Sequence, residues 1–237
     1  MAKQTWKPGN MIYPIPAVMV SVTDGKGQDD IITVAWTGTI CTNPPMAYIS
    51  VRPERFSYHM IKETGEFVIN LTTEELAAAT DYCGVRSGRD VDKFKETGLT
   101  REKADIVKAP MIKEAPVSIE CRVKEIRELG SHHMFLAEVV AVHADERYMD
   151  ENNRFDLNRA RPLVYSHGEY LGTGKKLGTF GYSVKKRKKA VPPKKKKIFG
   201  KCIKIHLTHE RPSISGRERQ PPVSDHERCQ QAAASDL

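Results

Sequence analysis

Runs of β-branched and small apolar residues alternate with polar positions near the start of the chain. Residues 17–23 and 30–36 form two such runs, and residues 24–27 between them read Asp-Gly-Lys-Gly. Glycine and aspartate at such a position favour a tight turn between antiparallel strands. The pattern therefore predicts a β-hairpin.

Similar patterns recur as far as residue 142, separated by turn residues. A second hairpin is expected around Gly130-Ser131, where apolar residues alternate on both sides. Five or six strands with short connections favour a closed or nearly closed antiparallel barrel, because closure hides the edges that a flat sheet exposes. The further predicted strands are residues 46–51, 66–71, 117–126 and 134–142.

Short helices are predicted between the strands. The first spans residues 56–62 and ends before a glycine. The sequence Thr-Thr-Glu-Glu at residues 72–75 is a capping-box pattern, and it predicts a helix that stops at Cys83-Gly84. One or two further helical turns are expected at residues 91–96. The fold class is therefore mainly β with short helices.

The excess positive charge lies in the last part of the chain. Residues 1–182 hold 23 Lys and Arg against 25 Asp and Glu, whereas residues 183–237 hold 15 against 5. The formal net charge of +8 therefore belongs to the second segment. Because blocks of like charge repel and stay solvated, we predict a folded domain over residues 1–182 and a disordered basic tail over residues 183–237.

Cysteine usage and hydropathy narrow the protein class. The five cysteines are odd in number and never form a Cys-x-x-Cys pair, which argues against a disulfide framework and a zinc ribbon. No metal site is predicted. No run of apolar residues is long enough for a membrane span, and the N-terminus lacks a signal-peptide pattern. We expect a cytoplasmic protein with reduced thiols.

A cluster of basic and hydroxyl side chains lies where a predicted strand gives way to a helix. Arg52, Arg55 and Ser57 fall at this point, and the free N–H groups and the dipole of a helix start favour an anion. The three residues could hold a phosphate together. A surface loop with a serine cap is the alternative.

A second basic segment surrounds a glycine turn at residues 87–93. Arg89 and Lys93 lie there beside another predicted helix start, where they could serve the same phosphate or that of a second ligand. An ordinary capped loop is the simpler alternative for this segment taken alone. The two basic segments together point more strongly to an anion than either does alone.

The strand-like run at residues 33–45 combines small and hydroxyl residues with a tryptophan. A flat polar ring such as a flavin needs backbone groups close to its edge, an aromatic wall and hydroxyls nearby. Ala35, Trp36, Thr37 and Gly38 offer that combination, and a glycine within a strand is a sign of close approach. The alternative is a threonine-rich barrel strand with its tryptophan in the core.

Several motifs in order resemble the flavin reductase-like family, in particular its flavoredoxin-type members. The resemblance covers about residues 14–181. It is based on the sequences at residues 43–46, 50–58, 62–71, 81–84, 87–94, 119–121 and 132–139.

The resemblance implies a split β-barrel that binds FMN, in a homodimer with the flavin near the subunit interface. Residues 35–38 would line the flavin ring. His132 matches the family's histidine after a hairpin turn and would lie near the flavin face as the catalytic residue. The phosphate end of the cofactor would be held by Arg52, Arg55, Ser57, Arg89 and Lys93.

The activity implied is hydride transfer from NAD(P)H to flavin, followed by electron transfer to an unknown acceptor that could be a protein. One alternative is a flavoredoxin-like FMN carrier that a protein partner reduces. Another, from a different class, is a nucleic-acid or anionic-surface binder that acts through the lysine blocks after residue 184, since such blocks give salt-dependent affinity.

Overall fold

The computed structural model describes residues 1–184 of the 237. Residues Met1–Thr179 form one compact unit. The predicted disorder of residues 183–237 and the lysine blocks lie outside the described residues, apart from Ser183 and Val184. The domain boundary after residue 182 therefore stays a prediction.

Twelve strands and three α-helices make up the described part of the chain. The helices are α1 (Phe56–Thr64), α2 (Ala77–Val85) and α3 (Lys93–Thr97), with 3-10 turns at Glu74–Leu76, Glu146–Tyr148 and Leu157–Ala160. The strands are β1 (Ile15–Pro16), β2 (Val18–Thr23), β3 (Asp29–Val34), β4 (Thr37–Cys41), β5 (Met46–Val51), β6 (Glu66–Asn70), β7 (Arg101–Glu102), β8 (Met111–Ile112), β9 (Val117–Leu129), β10 (His132–Ala144), β11 (Leu163–Ser166) and β12 (Glu169–Gly172).

Seven antiparallel strands form the main sheet, in the order β3-β2-β6-β9-β10-β5-β4. The two edge strands, β3 and β4, are joined by only Ala35 and Trp36. The sheet must therefore curve until its edges approach each other, and this closure makes a barrel. The backbone N–H of Ser50 donates to the carbonyl of Trp36 at 2.8 Å, which attaches β5 to the bend. The predicted barrel is confirmed.

The barrel interior is filled by apolar side chains from almost every strand of the main sheet. Val20, Ile49, Phe67 and Phe135 are fully buried there, and Ile61 of α1 joins them. Burying such a side chain stabilises the fold by roughly 1.5–3 kcal/mol. Helix α1 is therefore fixed to the barrel by its apolar face, and its first turn has a defined place relative to β3 and β5.

A second apolar layer lies on the outer face of β2 and β3. Met19 and Ile31 point outward from these strands and pack with Cys83 of α2 and Phe94 of α3. Helices α2 and α3 thus cover one side of the barrel. Within residues 1–184, no helix is both long and apolar enough to cross a membrane.

A small three-stranded sheet, β1-β11-β12, is separate from the barrel. Ile15 pairs with Tyr165 in this sheet, and Tyr165 pairs in turn with Tyr170. The β11–β12 hairpin turns at Gly168, which has a φ of 90° that suits glycine. The sheet brings two tyrosines from late in the chain close to Ala17 and to α2.

Two details of the predicted helix at residues 72–83 are wrong. A 3-10 turn, Glu74–Leu76, precedes α2; its N-cap residue, Thr73, makes no side-chain cap, and the hydroxyl of Thr72 donates to the carbonyl of Ala17 instead. The helix also continues through Gly84 to Val85. A Cβ atom at Gly84 would lie 3.2 Å from Cβ of Thr33, so this glycine serves close packing of α2 on β3.

The first predicted hairpin is confirmed, but its second strand is shorter than expected. Strand β3 ends at Val34, and the chain bends at Ala35 and Trp36 before β4 begins. The backbone N–H of Thr37 donates to the carbonyl of Ala35 at 3.1 Å and holds this bend. A run that looked like one strand is therefore divided between the two edges of the sheet.

Candidate flavin-binding site

A cleft of about 270 Å³ lies beside the bend between β3 and β4. Its walls come from the barrel, from α2 and from the small sheet, so distant parts of the chain meet there. The residues that line it are Ala17, Ile32, Thr33, Val34, Ala35, Trp36, Ser50, Val51, Arg52, Arg55, Asp81, Gly84, Val85, His132, Tyr165 and Tyr170.

Trp36 and His132 form an aromatic wall of the cleft. Their rings are nearly parallel, at 8°, with centroids 5.9 Å apart. The Trp36 side chain is not a core residue, because 37% of its surface is exposed. This exposure argues against the alternative of a tryptophan buried in the barrel. A stacked aromatic pair at a cleft, with Trp36 exposed, offers a flat surface to a planar ligand.

The surroundings of His132 favour its neutral form at physiological pH. Burial lowers its pKa, the positive charge of Arg52 lowers it further, and the nearby Glu54 partly opposes this effect. Its Nδ1 lies 3.0 Å from the hydroxyl of Ser131. A neutral imidazole has one donor and one acceptor nitrogen, so His132 can exchange hydrogen bonds with a polar ring edge without adding charge.

Two arginines border the cleft where β5 leads into α1. Arg52 pairs with the exposed Glu54 at 3.0 Å. Arg55 donates from Nη1 to the carbonyl of Gly84 at 3.1 Å. This bond uses one of the five N–H groups of the guanidinium, so Arg55 is oriented by α2 and retains donors for a ligand.

The opposite side of the cleft has a different chemistry. Tyr165 and Tyr170 of the small sheet lie there with Asp81 of α2. Burial, followed by the negative charge of Asp81 and a hydrogen bond to it, raises the pKa of Tyr170 to about 12. The Tyr170 hydroxyl therefore stays protonated, and this side of the cleft offers tyrosine hydroxyls and a carboxylate.

A recess of about 190 Å³ continues from the cleft towards the start of α1. The recess and the cleft share Ile32 and Arg55, so they adjoin at these side chains. Its lining residues are Asp30, Ile32, Glu54, Arg55, Phe56, Ser57, Arg86, Ser87, Gly88, Arg89 and Lys93.

Three arginines, at positions 55, 86 and 89, give the recess its positive character. Arg89 lies over the ring of Phe56 at 5.9 Å. Gly88 packs tightly, since a Cβ atom there would lie 2.7 Å from Cδ1 of Phe56 and would also overlap the carboxylate of Asp30. The backbone at residue 88 can lie this close to Asp30 and Phe56 only because glycine has no side chain.

Ser57 and Lys93 line the recess, but their polar groups have protein partners. The hydroxyl of Ser57 donates to Asp30 at 2.5 Å. The ammonium of Lys93 pairs with the same carboxylate at 3.1 Å, and its side chain is only 3% exposed. Ser57 and Lys93, which the sequence predicted as phosphate ligands, therefore both lie at the recess. Their polar hydrogens are donated to Asp30 and to backbone carbonyls.

Thr37 and Gly38 line neither the cleft nor the recess. The hydroxyl of Thr37 donates to the carbonyl of Tyr48 at 2.7 Å. A Cβ atom at Gly38 would lie 3.1 Å from Cε1 of Tyr48. The glycine therefore accommodates a neighbouring tyrosine, and contact of Thr37 and Gly38 with a ligand stays a prediction.

Sequence reasoning missed several residues of the site. Arg86 precedes the basic segment that was recognised, and its charge alone could have drawn attention to it. Tyr165 and Tyr170 flank the turn at Gly168, and a hairpin signal was available there. Asp30 gave no signal, because its partners come from much later in the chain.

A protein-family model, described as the flavin reductase like domain, matches residues 11–174 of the sequence. The chain belongs to the flavin reductase-like family. The matched region contains both the cleft and the recess. The predicted resemblance is confirmed, and the site lies wholly within the family domain.

Solved structures agree with this assignment. The flavoredoxin of Desulfovibrio vulgaris (Miyazaki F) is 29% identical, with a TM-score of 0.73, and the match covers 78% of this chain and 100% of that one. A flavoredoxin from Methanosarcina acetivorans is 28% identical, with a TM-score of 0.71 and the same coverage. The barrel is therefore that of the flavin reductase-like family.

Among sequence relatives, an uncharacterized protein of Aeropyrum pernix is 29% identical over 156 residues. This match covers 65% of the present chain and 58% of the relative. The chain thus spans less than two thirds of the length of that relative.

Proposed function

We propose that the chain binds FMN, with the flavin ring in the cleft and the phosphate in the recess, and that it acts as an NAD(P)H-dependent flavin reductase. The observation that carries the proposal is the continuity of an aromatic-walled cleft with an arginine-lined recess at Arg55. A ligand with a planar ring joined to an anionic chain would match the chemistry of the cleft and of the recess. Family membership supports the same ligand.

The size and donor set of the site fit FMN. The cleft and the recess together fall within the range of about 300–1,000 Å³ that is usual for small-molecule sites. Arginine guanidiniums bind phosphate through paired hydrogen bonds. Arg55, Arg86 and Arg89 are the side chains on which we expect the phosphate to rest, and Arg52 lies nearer the ring.

A bound flavin would supply the redox chemistry, since it can accept a hydride from a reduced nicotinamide and release electrons to an acceptor. The chain's contribution is positioning and polarity. Trp36 and His132 would orient the ring, and the neutral His132 would exchange a hydrogen bond with its polar edge. Arg52 would favour negative charge that develops on the ring.

A flavoredoxin-like electron carrier is the second candidate. The observation that favours it is the similarity of 28–29% to two flavoredoxins over their whole length. The two candidates share the site and differ in the electron donor, which is NAD(P)H for the reductase and a protein partner for the carrier.

A homodimer and an unidentified acceptor complete the proposal. The resemblance supports the dimer. Sedimentation velocity of the purified protein tests it, because a species near 27 kDa at micromolar concentration would contradict a stable dimer. Binding of nucleic acid through the lysine blocks stays a separate hypothesis that lies outside the described residues.

The experiment that tests the function is an anaerobic absorption spectrum of the protein, first with bound or added FMN and then with NADH or NADPH. Loss of the oxidised flavin band on addition of a reduced nicotinamide supports the reductase. Bound flavin that stays oxidised in the presence of both nucleotides supports the carrier. A protein that binds no FMN would contradict both candidates.

A further inference from the structure

We propose that Lys93 does not contact the phosphate, and that Lys93, Asp30 and Ser57 form a buried network that positions the recess around it. This inference rests on the proposed binding of FMN. It reassigns two of the predicted phosphate ligands from binding residues to positioning residues. Arg55, Arg86 and Arg89 then remain as the cationic ligands.

The ammonium of Lys93 has no hydrogen left for a ligand. A lysine ammonium carries three hydrogens, and three acceptors surround this one. They are Oδ1 of Asp30 at 3.1 Å, the carbonyl of Ile31 at 2.5 Å and the carbonyl of Cys83 at 3.3 Å. A phosphate oxygen could bind Lys93 only by displacing one of these buried partners.

The other members of the network are also satisfied. Oδ2 of Asp30 accepts the hydroxyl hydrogen of Ser57 at 2.5 Å. This is the only hydrogen that a serine side chain can donate, so Ser57 has none to offer an anion. Asp30 is 2% exposed and Ser57 1% exposed. Both side chains act inside the protein.

The network joins the three elements that enclose the recess. Asp30 belongs to β3, Ser57 to the first turn of α1, and Lys93 to the start of α3. Gly88 packs against the Asp30 carboxylate and closes the remaining side. The arrangement therefore sets the distance between the start of α1, which holds Arg55, and the loop that holds Arg86 and Arg89.

The charges of the network have a direct consequence for a bound anion. Lys93 neutralises Asp30, so the network contributes almost no net charge beside the recess. Removal of the lysine alone would leave a buried carboxylate facing the phosphate, which would repel it. Removal of both charges would leave the neighbouring arginines in place, and the net charge of the network would stay near zero.

A comparison of FMN with riboflavin, which lacks the phosphate, tests the proposal. The ratio of the two dissociation constants reports on the phosphate end, whereas a general loss of structure weakens both flavins. We would measure it by quenching of flavin fluorescence at pH 8 for the wild type, Lys93→Met, Asp30→Asn and the double variant. Lys95→Met, an exposed lysine on the same helix, is the matched control.

We expect Lys93→Met to reduce the preference for FMN at least about tenfold, and the double variant to return it to within about threefold of the wild type. Asp30→Asn should keep or increase the preference, and Lys95→Met should leave it unchanged. If Lys93 contacts the phosphate itself, the double variant will lose the preference as fully as Lys93→Met does.

If Lys93→Met fails to fold, the double variant still tests the proposal, because the double variant contains no unpaired buried charge. An unchanged preference in a folded Lys93→Met protein would also overturn the proposal. A wild-type protein that binds neither flavin would refute the proposed function. Failure of the network and failure of FMN binding are thus distinguishable.

Discussion

Two buried carboxylates, Asp30 and Glu120, occupy different surroundings in this barrel. Asp30 is 2% exposed and Glu120 is 0% exposed. Asp30 is neutralised by a buried lysine beside an arginine-lined recess. Glu120 accepts backbone N–H bonds at 2.7–2.9 Å from residues 105, 106 and 107, and lies 2.6 Å from Nε2 of His143.

The comparison shows that burial of a charged group does not by itself identify a functional site. Asp105, Glu120 and His143 have the composition of a metal site, with ligand atoms within 4.8 Å of one another. The Glu120 carboxylate, however, already has four partners, and its local task is to hold the 105–107 loop against β9. Asp30 differs because its neighbours include unused guanidinium donors.

The largest expected effect is on stability, and it follows from loss of the Glu120 carboxylate that holds the 105–107 loop. Glu120→Ala would leave one buried and two partly buried N–H groups without an acceptor and would break the pair with His143, and we expect a loss of about 3–5 kcal/mol in the free energy of unfolding. Urea denaturation measures it. Glu120→Gln retains one acceptor oxygen and should lose less. FMN affinity of the folded Glu120→Gln protein should not change; a large loss would show that the two carboxylates are coupled.

Gly88→Ala is expected to have the next largest effect. The new methyl group would collide with Asp30 and Phe56, which costs about 1–3 kcal/mol for a rigid site. We expect weaker FMN binding together with a lower thermal midpoint. Gly174→Ala is the control, because a Cβ atom there meets nothing within 4 Å. Equal behaviour of the two variants would contradict the described packing of the recess.

Arg89→Gln should weaken FMN binding about tenfold, because a hydrogen bond to a charged group contributes about 1.5 kcal/mol or more. Riboflavin affinity should change much less, since riboflavin has no phosphate to contact Arg89. Fluorescence titration measures both. Arg122→Gln removes a charge from β9, where the arginine pairs with Glu66 at 3.4 Å, and should affect neither flavin.

The smallest expected effect concerns the titration of His132. Burial and Arg52 lower its pKa, whereas Glu54 raises it. The imidazole should therefore titrate below the usual value of about 6.5. Arg52→Gln should raise the midpoint, and Glu54→Gln should lower it further. NMR titration of the ring protons measures these shifts, and movement of both midpoints in the same direction would contradict the described electrostatics.

The sequence predicted local structure well where turn residues and alternation coincide. Strand β5 and the left-handed cap of α1 at Gly65 follow from such signals. The division of one strand-like run into β3 and β4 was missed, because the bend at Ala35 and Trp36 depends on closure of the whole sheet. The partner of Lys93 was missed for a similar reason, since Asp30 lies 63 positions earlier in the chain and only the fold brings them together.

The predicted site residues illustrate the same limit. Residue types predicted Arg55 and Arg89 at an anion site, and the family resemblance predicted His132 beside a planar ring; these side chains line the cleft or the recess. The directions of the hydroxyl and ammonium groups of Thr37, Ser57 and Lys93 depend on partners that a linear pattern does not show. Whether a group is available for a ligand is decided by packing.

The central claim is that the cleft and the recess together hold a flavin with its phosphate. Its most direct test is a titration of the purified wild-type protein with FMN and with riboflavin under the same conditions. We expect FMN to bind about 100-fold more tightly, as two charge-assisted contacts of about 1.5 kcal/mol each would provide. Equal affinity for the two flavins, or no binding of either, would contradict the claim.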